Sequence, residues 1–148
     1  MSVEGNKALI RRLIEQVFNA HDLGGIDGFF MGDYVEHVPI PPGLPSGLAG
    51  LKAFWSSLFA AFPDFRYTID DMVAEGDRVA ARLTAHGTHQ GPFLGVPATG
   101  KQVSWTEIHI GRCDDGTLAE HWATLDQVGL LQQLGAMPAP GQGPPTAS

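Results

Sequence analysis

Apolar residues along this chain follow two periods, and the change from one to the other divides it. From about Asn6 to Asn19, Leu9, Ile10, Leu13, Ile14, Val17 and Phe18 recur at helical spacing, with Arg11, Arg12, Glu15 and Gln16 opposite them. That predicts an amphipathic helix with Asn6 as N-cap and Asp22 at its end. The segment from Gly24 to Met31 predicts a short, glycine-weakened second helix. Tyr34 to Val38 alternates like a strand, and Pro39, Pro41, Pro42, Gly43 and Pro45 then predict a loop to Gly47. Leu48, Leu51, Trp55, Leu58, Phe59 and Phe62 return to helical spacing until Pro63 stops them.

Beyond Pro63 the period becomes two. Phe65, Tyr67 and Ile69 alternate with Arg66, Thr68 and Asp70, and the segment runs to a turn at Glu75-Gly76-Asp77. In the partner strand, Arg78 to His86, the residues Val79, Ala81, Leu83 and Ala85 mark the buried face. Gly87 to Lys101 holds too many glycines and prolines for a strand, yet Phe93, Leu94 and Val96 give it something to bury; it is expected to form a loop at a pocket edge. A second hairpin turns at Asp114-Asp115-Gly116. On its first strand Val103, Trp105, Glu107 and His109 share a face; on its second, Glu120, Trp122, Thr124 and Asp126 alternate with Ala119, His121, Ala123 and Leu125. Val128, Leu130, Leu131 and Leu134 predict a short closing helix capped by Gly135. Helices followed by a largely antiparallel sheet make an α+β domain over 1–135, and the proline- and glycine-rich 136–148 is expected to be a mobile tail.

Charge and composition narrow the partners. With 16 acidic against 9 basic residues the formal charge is -7, which disfavours nucleic acid and anionic membrane surfaces. No run approaches the roughly 20 apolar residues of a bilayer span, and the first residues lack the order of a secretory signal, so a cytoplasmic location is expected. Cys113 is alone, which excludes an internal disulfide and any multi-cysteine metal site. His86 and His89 are three apart at a strand end, a spacing that does not aim two rings at one metal, and no third ligand is obvious, so no zinc site is expected.

The second hairpin concentrates the chemistry. Two tryptophans, two histidines and three carboxylates on one hairpin are the ingredients of a small-molecule pocket. His109 and His121 are candidates for passing a proton or stabilising an oxyanion, and Glu107 for pairing with His109. His37 beside the proline loop, the aromatics Trp55, Phe59, Phe62, Trp105 and Trp122, and Leu131 are candidate substrate contacts. Each also has a plain structural reading as core or as a hydrogen-bonded sheet residue, and Asp126 stands where an N-cap belongs.

Taken in order, Tyr34-Val35-Glu36-His37-Val38-Pro39, Phe62-Pro63-Asp64, Glu75-Gly76-Asp77-Arg78-Val79, Gly87-Thr88-His89, Gly95-Val96-Pro97-Ala98-Thr99-Gly100-Lys101, Asp115-Gly116, Glu120-His121-Trp122 and Gln133-Leu134-Gly135 resemble the SnoaL-like polyketide cyclases. One departure is Ala98, where family members often carry a second proline. The resemblance implies the cone-shaped fold of the nuclear transport factor 2-like superfamily, commonly dimeric through the sheet. It further implies ring closure in an apolar, carbonyl-rich, polyketide-like substrate by intramolecular aldol condensation without metal or cofactor, with an aspartate as acid/base; Asp126 best matches that aspartate. The superfamily also holds isomerases, pericyclic cyclases, epoxide hydrolases and noncatalytic binding proteins, which stay open as alternatives.

Overall fold

The structure is a computed structural model that describes residues 2–39, 41–138 and 141. The first helix, α1, spans Val3–Leu13 and is capped by Ser2, whose hydroxyl accepts from the Gly5 amide at 2.9 Å. The helix thus starts earlier than the Asn6 cap expected from sequence, and Asn6 is buried inside it. Its apolar stripe continues through a π-helical turn, Ile14–Phe18, that buries Ile14, Val17 and Phe18. The glycine-rich segment forms a 3-10 helix, Leu23–Phe29, more extended per residue than an α-helix, and leads into β1, Phe30–Glu36. Helix α2, Gly47–Ala61, buries Trp55, Leu58 and Ala61 and stops before Pro63 as its sequence dictates.

The sheet is built by β1 and by β2 (Arg66–Glu75), β3 (Arg78–Thr88), β4 (Gln102–Asp114) and β5 (Thr117–Leu125), in the order β1-β5-β4-β3-β2. Two antiparallel hairpins, β2–β3 and β4–β5, join through the long β3–β4 pairing. The β4–β5 turn places Asp115 at φ 47° and Gly116 at φ 81°, the positive pair that a two-residue hairpin loop requires and that Asp-Gly tolerates. Strand β1 adds to the edge of β5 in parallel, pairing Val35 with Glu120 and Glu36 with His121. A short helix, α3 (Gln127–Gln133), closes the domain.

Strict alternation aims one face of this curved sheet at the helices. Val79, Ala81, Leu83 and Ala85 of β3 and Val103 and Trp105 of β4 are buried, and their neighbours along each strand face outward. Against them lie Leu9, Ile10 and Leu13 of α1 and Trp55 and Leu58 of α2. Phe62 is fully buried where β3 ends; a Cβ on Gly87 would lie 2.9 Å from Phe62 Cβ, so the strand passes that ring only because residue 87 has no side chain. The core does not fill the space between layers at the open end of the sheet, and a chamber remains there. Most of the tail expected to be mobile lies outside the described residues. Among the described residues no helix is long and apolar enough to cross a membrane.

Candidate functional site

Four strands bring titratable side chains to one wall of that chamber. On β4 the alternation puts Glu107 and His109 on the concave face, and the β4–β5 register opposes Gly111 to His121, so His121 joins them on the same face. Strand β1 contributes Tyr34 and Glu36 from the far side of β5, and β2 contributes Tyr67. These residues come from separate segments of the chain, and the sheet sets them in line.

The line is an unbroken hydrogen-bonded chain. Glu36 Oε1 and Oε2 lie 2.8 and 3.0 Å from His121 Nδ1; His121 Nε2 lies 2.8 Å from His109 Nδ1; His109 Nε2 lies 2.7 Å from Glu107 Oε1. Each end is anchored. The Tyr34 hydroxyl donates to Glu36 at 2.5 Å and the Val38 amide at 3.0 Å. The Tyr67 hydroxyl donates to Glu107 Oε1 at 2.7 Å and the Trp105 indole N–H to Oε2 at 2.6 Å. Side-chain exposure is 2% for Glu36 and 5% for Glu107, but 18% for His121 and 20% for His109. The carboxylates are buried and the imidazoles between them look into the chamber.

Burial alone pushes a carboxyl up, yet both carboxyls are held below their ordinary range. For Glu107 the charge and hydrogen bond of His109, with Tyr67 and Trp105, outweigh desolvation; for Glu36 the His121, Tyr34 and Val38 contacts do the same. The tyrosines answer in the opposite sense: burial and the adjacent carboxylate push the Tyr34 and Tyr67 phenols far up, so both stay donors. With two ionised carboxylates accepting, His121 Nδ1 and His109 Nε2 each carry a hydrogen. Each imidazole meets a carboxylate through one nitrogen and the other ring through its second, so the chain is a continuous path for a proton between the two carboxylates.

The chamber has a volume of about 530 Å³, within the range of sites for drug-sized ligands. Trp55, Phe54 and Leu58 of α2, Phe93 and Leu94 of the 87–101 loop, and Pro41 and Pro42 of the proline loop form its apolar walls, with Trp105, Glu107, His109 and His121 on the sheet side. The expected pocket edge at Phe93 and Leu94 is thus in place. Of the residues expected to touch substrate, Trp55, Trp105, Glu107, His109 and His121 meet here.

The others do not, and each has a physical reason. Asp126 is exposed and lies beyond the end of β5, where its carboxylate accepts from the Gly129 amide at 2.9 Å as the N-cap of α3. The carboxylate expected to act as acid/base is thus engaged as a helix cap, while its chain neighbours Leu125 and Gln127 line the chamber. Trp122 pairs with Ile110 on the outer face of the sheet, where the His37 ring stacks on it at 4.6 Å and the Arg78 guanidinium sits 4.9 Å from its centroid. His37 also hydrogen-bonds Glu120 at 2.8 Å, so both residues belong to the outside. Phe59 stacks on His21 at 4.1 Å on the flank of α2; Phe62 is fully buried between His89, Phe93 and Trp105; and Gln127 and Leu130, not Leu131, supply the chamber contacts of α3. Glu36, Tyr34 and Tyr67 were missed as site residues. Alternation in Tyr34 to Val38 does place Glu36 with the buried Tyr34 and opposite His37, a signal available from sequence once the buried face is known.

A family model described as SnoaL-like polyketide cyclase matches residues 8–134. Among curated proteins, aklanonic acid methyl ester cyclase DauD of Streptomyces sp. (strain C5) is 31% identical over 134 residues, covering 86% of this chain and 80% of that protein. Among solved structures, TsrD from Streptomyces laurentii is similar with a TM-score of 0.82 at 31% identity, covering 93% of this chain and 99% of that one. Wild-type IdmH from Streptomyces antibioticus gives a TM-score of 0.77 at 38% identity, covering 88% and 98%.

Proposed function

The chain belongs to the SnoaL-like polyketide cyclase family, and from that premise we propose that it closes a ring in a neutral, carbonyl-rich polyketide by intramolecular aldol condensation, without metal or cofactor. The observation that carries the reading is the Glu36–His121–His109–Glu107 chain on the wall of a drug-sized apolar chamber. An aldol closure borrows one proton and returns it. A base removes hydrogen from the carbon next to one carbonyl; the enolate carbon bonds to a second carbonyl carbon, whose π pair moves onto oxygen; that alkoxide takes the proton back. Nothing is consumed, so the site needs a group that accepts and gives at nearly equal cost.

Glu107 is the base in this reading. Among the described residues its Oε2 receives only the Trp105 indole N–H, which leaves a lone pair for the substrate C–H. The proton taken by Glu107 passes along the imidazole pair, which returns it to the alkoxide. General acid/base assistance of this kind contributes about 10²- to 10⁴-fold, and holding both carbonyls together contributes more. Among the described residues the chamber lining includes no lysine or arginine. A free substrate carboxylate would therefore meet two ionised carboxylates with neither of these side chains to pair with, whereas a masked one would not. DauD is named for a methyl ester, in which that charge is absent. Among the described residues no arginine bridges Glu36 and Glu107, which weighs against the epoxide-hydrolase alternative.

The outer face of the sheet exposes Val73, Ile108 and Ile110, and this apolar surface supports pairing of two chains through the sheet, testable by light scattering. For activity, the test is incubation of chelator-treated protein with linear polyketide methyl esters and their free acids, read by product mass and retention. The expected result is a cyclised isomer from esters only. Ester binding with no new product across the panel overturns the catalytic reading and leaves a binding protein; product that appears only after a metal is restored overturns cofactor independence.

A further inference from the structure

A second, smaller cavity of about 60 Å³ lies behind the histidine pair. Leu51, Trp55, Tyr67, His109 and His121 line both cavities, so these five residues form the boundary between them, the throat that a ligand reaching from one to the other would pass. Behind the throat, Leu13, Ile14 and Phe18 of α1 and its π-helical turn face Val79, Ala81 and Leu118 of the sheet. The π-turn is what widens the helix here, since Ile14 and Phe18 both reach the annex while Val17 stays in the core.

The annex presents carbon. The polar atoms nearest to it belong to His109, His121, Tyr34 and Tyr67; their ring nitrogens and hydroxyl hydrogens are already committed to Glu36, Glu107 or each other, which leaves only the acceptor lone pairs of the two phenol oxygens. A water there needs two to four polar partners and finds no free donor, whereas an apolar group needs none. The volume suits a chain of roughly two or three carbons. We propose that the annex is a subsite for a short unbranched alkyl substituent of the ligand, and that seating this tail positions the carbonyl to which it is attached at the throat, against His109 and His121. This rests on the proposed function only in taking the ligand to be an apolar ketone.

The probes are acetophenone, propiophenone, butyrophenone and valerophenone, titrated by calorimetry into the whole chain, with no turnover read. In the wild-type protein Kd is expected to fall about fourfold for each added methylene up to butyrophenone and then stop falling. Val79→Ile fills part of the annex and is expected to end the gain one carbon earlier, with acetophenone affinity within twofold of wild type. Ala81→Val, on the same strand and compatible with it, provides the same readout if Val79→Ile folds poorly. The terminal methyl of bound butyrophenone is expected to show NMR contacts to Val79 and Leu118. Contacts to Phe93 and Leu94 instead, an unbroken gain in both variants, or no gain per carbon in the wild type each overturn the subsite. A protein that binds the series as expected yet closes no ring would keep the subsite and lose the proposed function, so the two fail separately.

Discussion

Replacing Glu107 by glutamine separates the charge of the site from its shape. Three donors converge on this carboxylate, from His109 at 2.7 Å, Tyr67 at 2.7 Å and Trp105 at 2.6 Å. A glutamine has one acceptor oxygen and one NH₂. Turned one way, its NH₂ meets the indole N–H; turned the other, it meets His109 and forces that ring to surrender its Nε2 hydrogen. Either way one buried donor is left unpaired, a cost of about 1–3 kcal/mol. For a domain of this size each kcal/mol moves Tm by about 2–4 °C, so a drop of a few degrees to about 10 °C is expected at neutral pH. Turnover should fall by about 10²- to 10⁴-fold, because the base is gone. The pH dependence supplies a check independent of turnover. The Glu107 carboxyl is held below its ordinary 4.5 in the folded protein despite its burial. A depressed folded value means that the stabilisation is complete above the unfolded value and is lost as pH falls through the folded one. The Tm gap between wild type and Glu107→Gln should therefore be full at neutral pH and narrow as pH drops below that ordinary value. Melts across the acid range, with product formation measured alongside, test this. Turnover within twofold of wild type, or a gap that stays constant or widens in acid, would refute the reasoning.

Trp105→Phe keeps an aromatic side chain but removes the indole donor to Glu107, so the carboxyl rises; the acid limb of the pH–rate profile should move to higher pH, and an unmoved limb would remove Glu107 from the chemistry. Asp126→Asn preserves the helix cap and should leave turnover near wild type, while Asp126→Ala should lower stability by about 1 kcal/mol; loss of turnover in a folded Asp126→Asn protein would return that residue to the mechanism. His37→Ala and Trp122→Ala act on the outer face, and neither should change ligand Kd by more than about twofold in a calorimetric titration, since no chamber wall is lost. A large loss of affinity in either would contradict the face assignment.

The chain's own pattern determined the elements and the two hairpins. Periods of 3.6 and 2 are local properties, and so are the breakers that end them: Pro63 after α2, Asp115-Gly116 between β4 and β5, and the glycines and prolines of 87–101. Hairpin register is local too, which is why Glu107 and His109 on one face, and their pairing, were legible. What sequence could not supply was the docking of β1 beside β5. That contact joins residues 85 apart, Glu36 and His121, and is parallel, so no turn announces it. It alone turns two histidines on a hairpin into a chain with a carboxylate at each end. The same limit explains Asp126 and Trp122. Both stand among pocket residues in the sequence, but alternation sends Trp122 to the outer face and the end of β5 leaves Asp126 at a helix terminus, where a local hydrogen bond claims it. Chemical type and spacing are written along the chain; which side of a curved sheet faces the hollow is decided only when non-neighbouring strands meet, because only then does one face lose water.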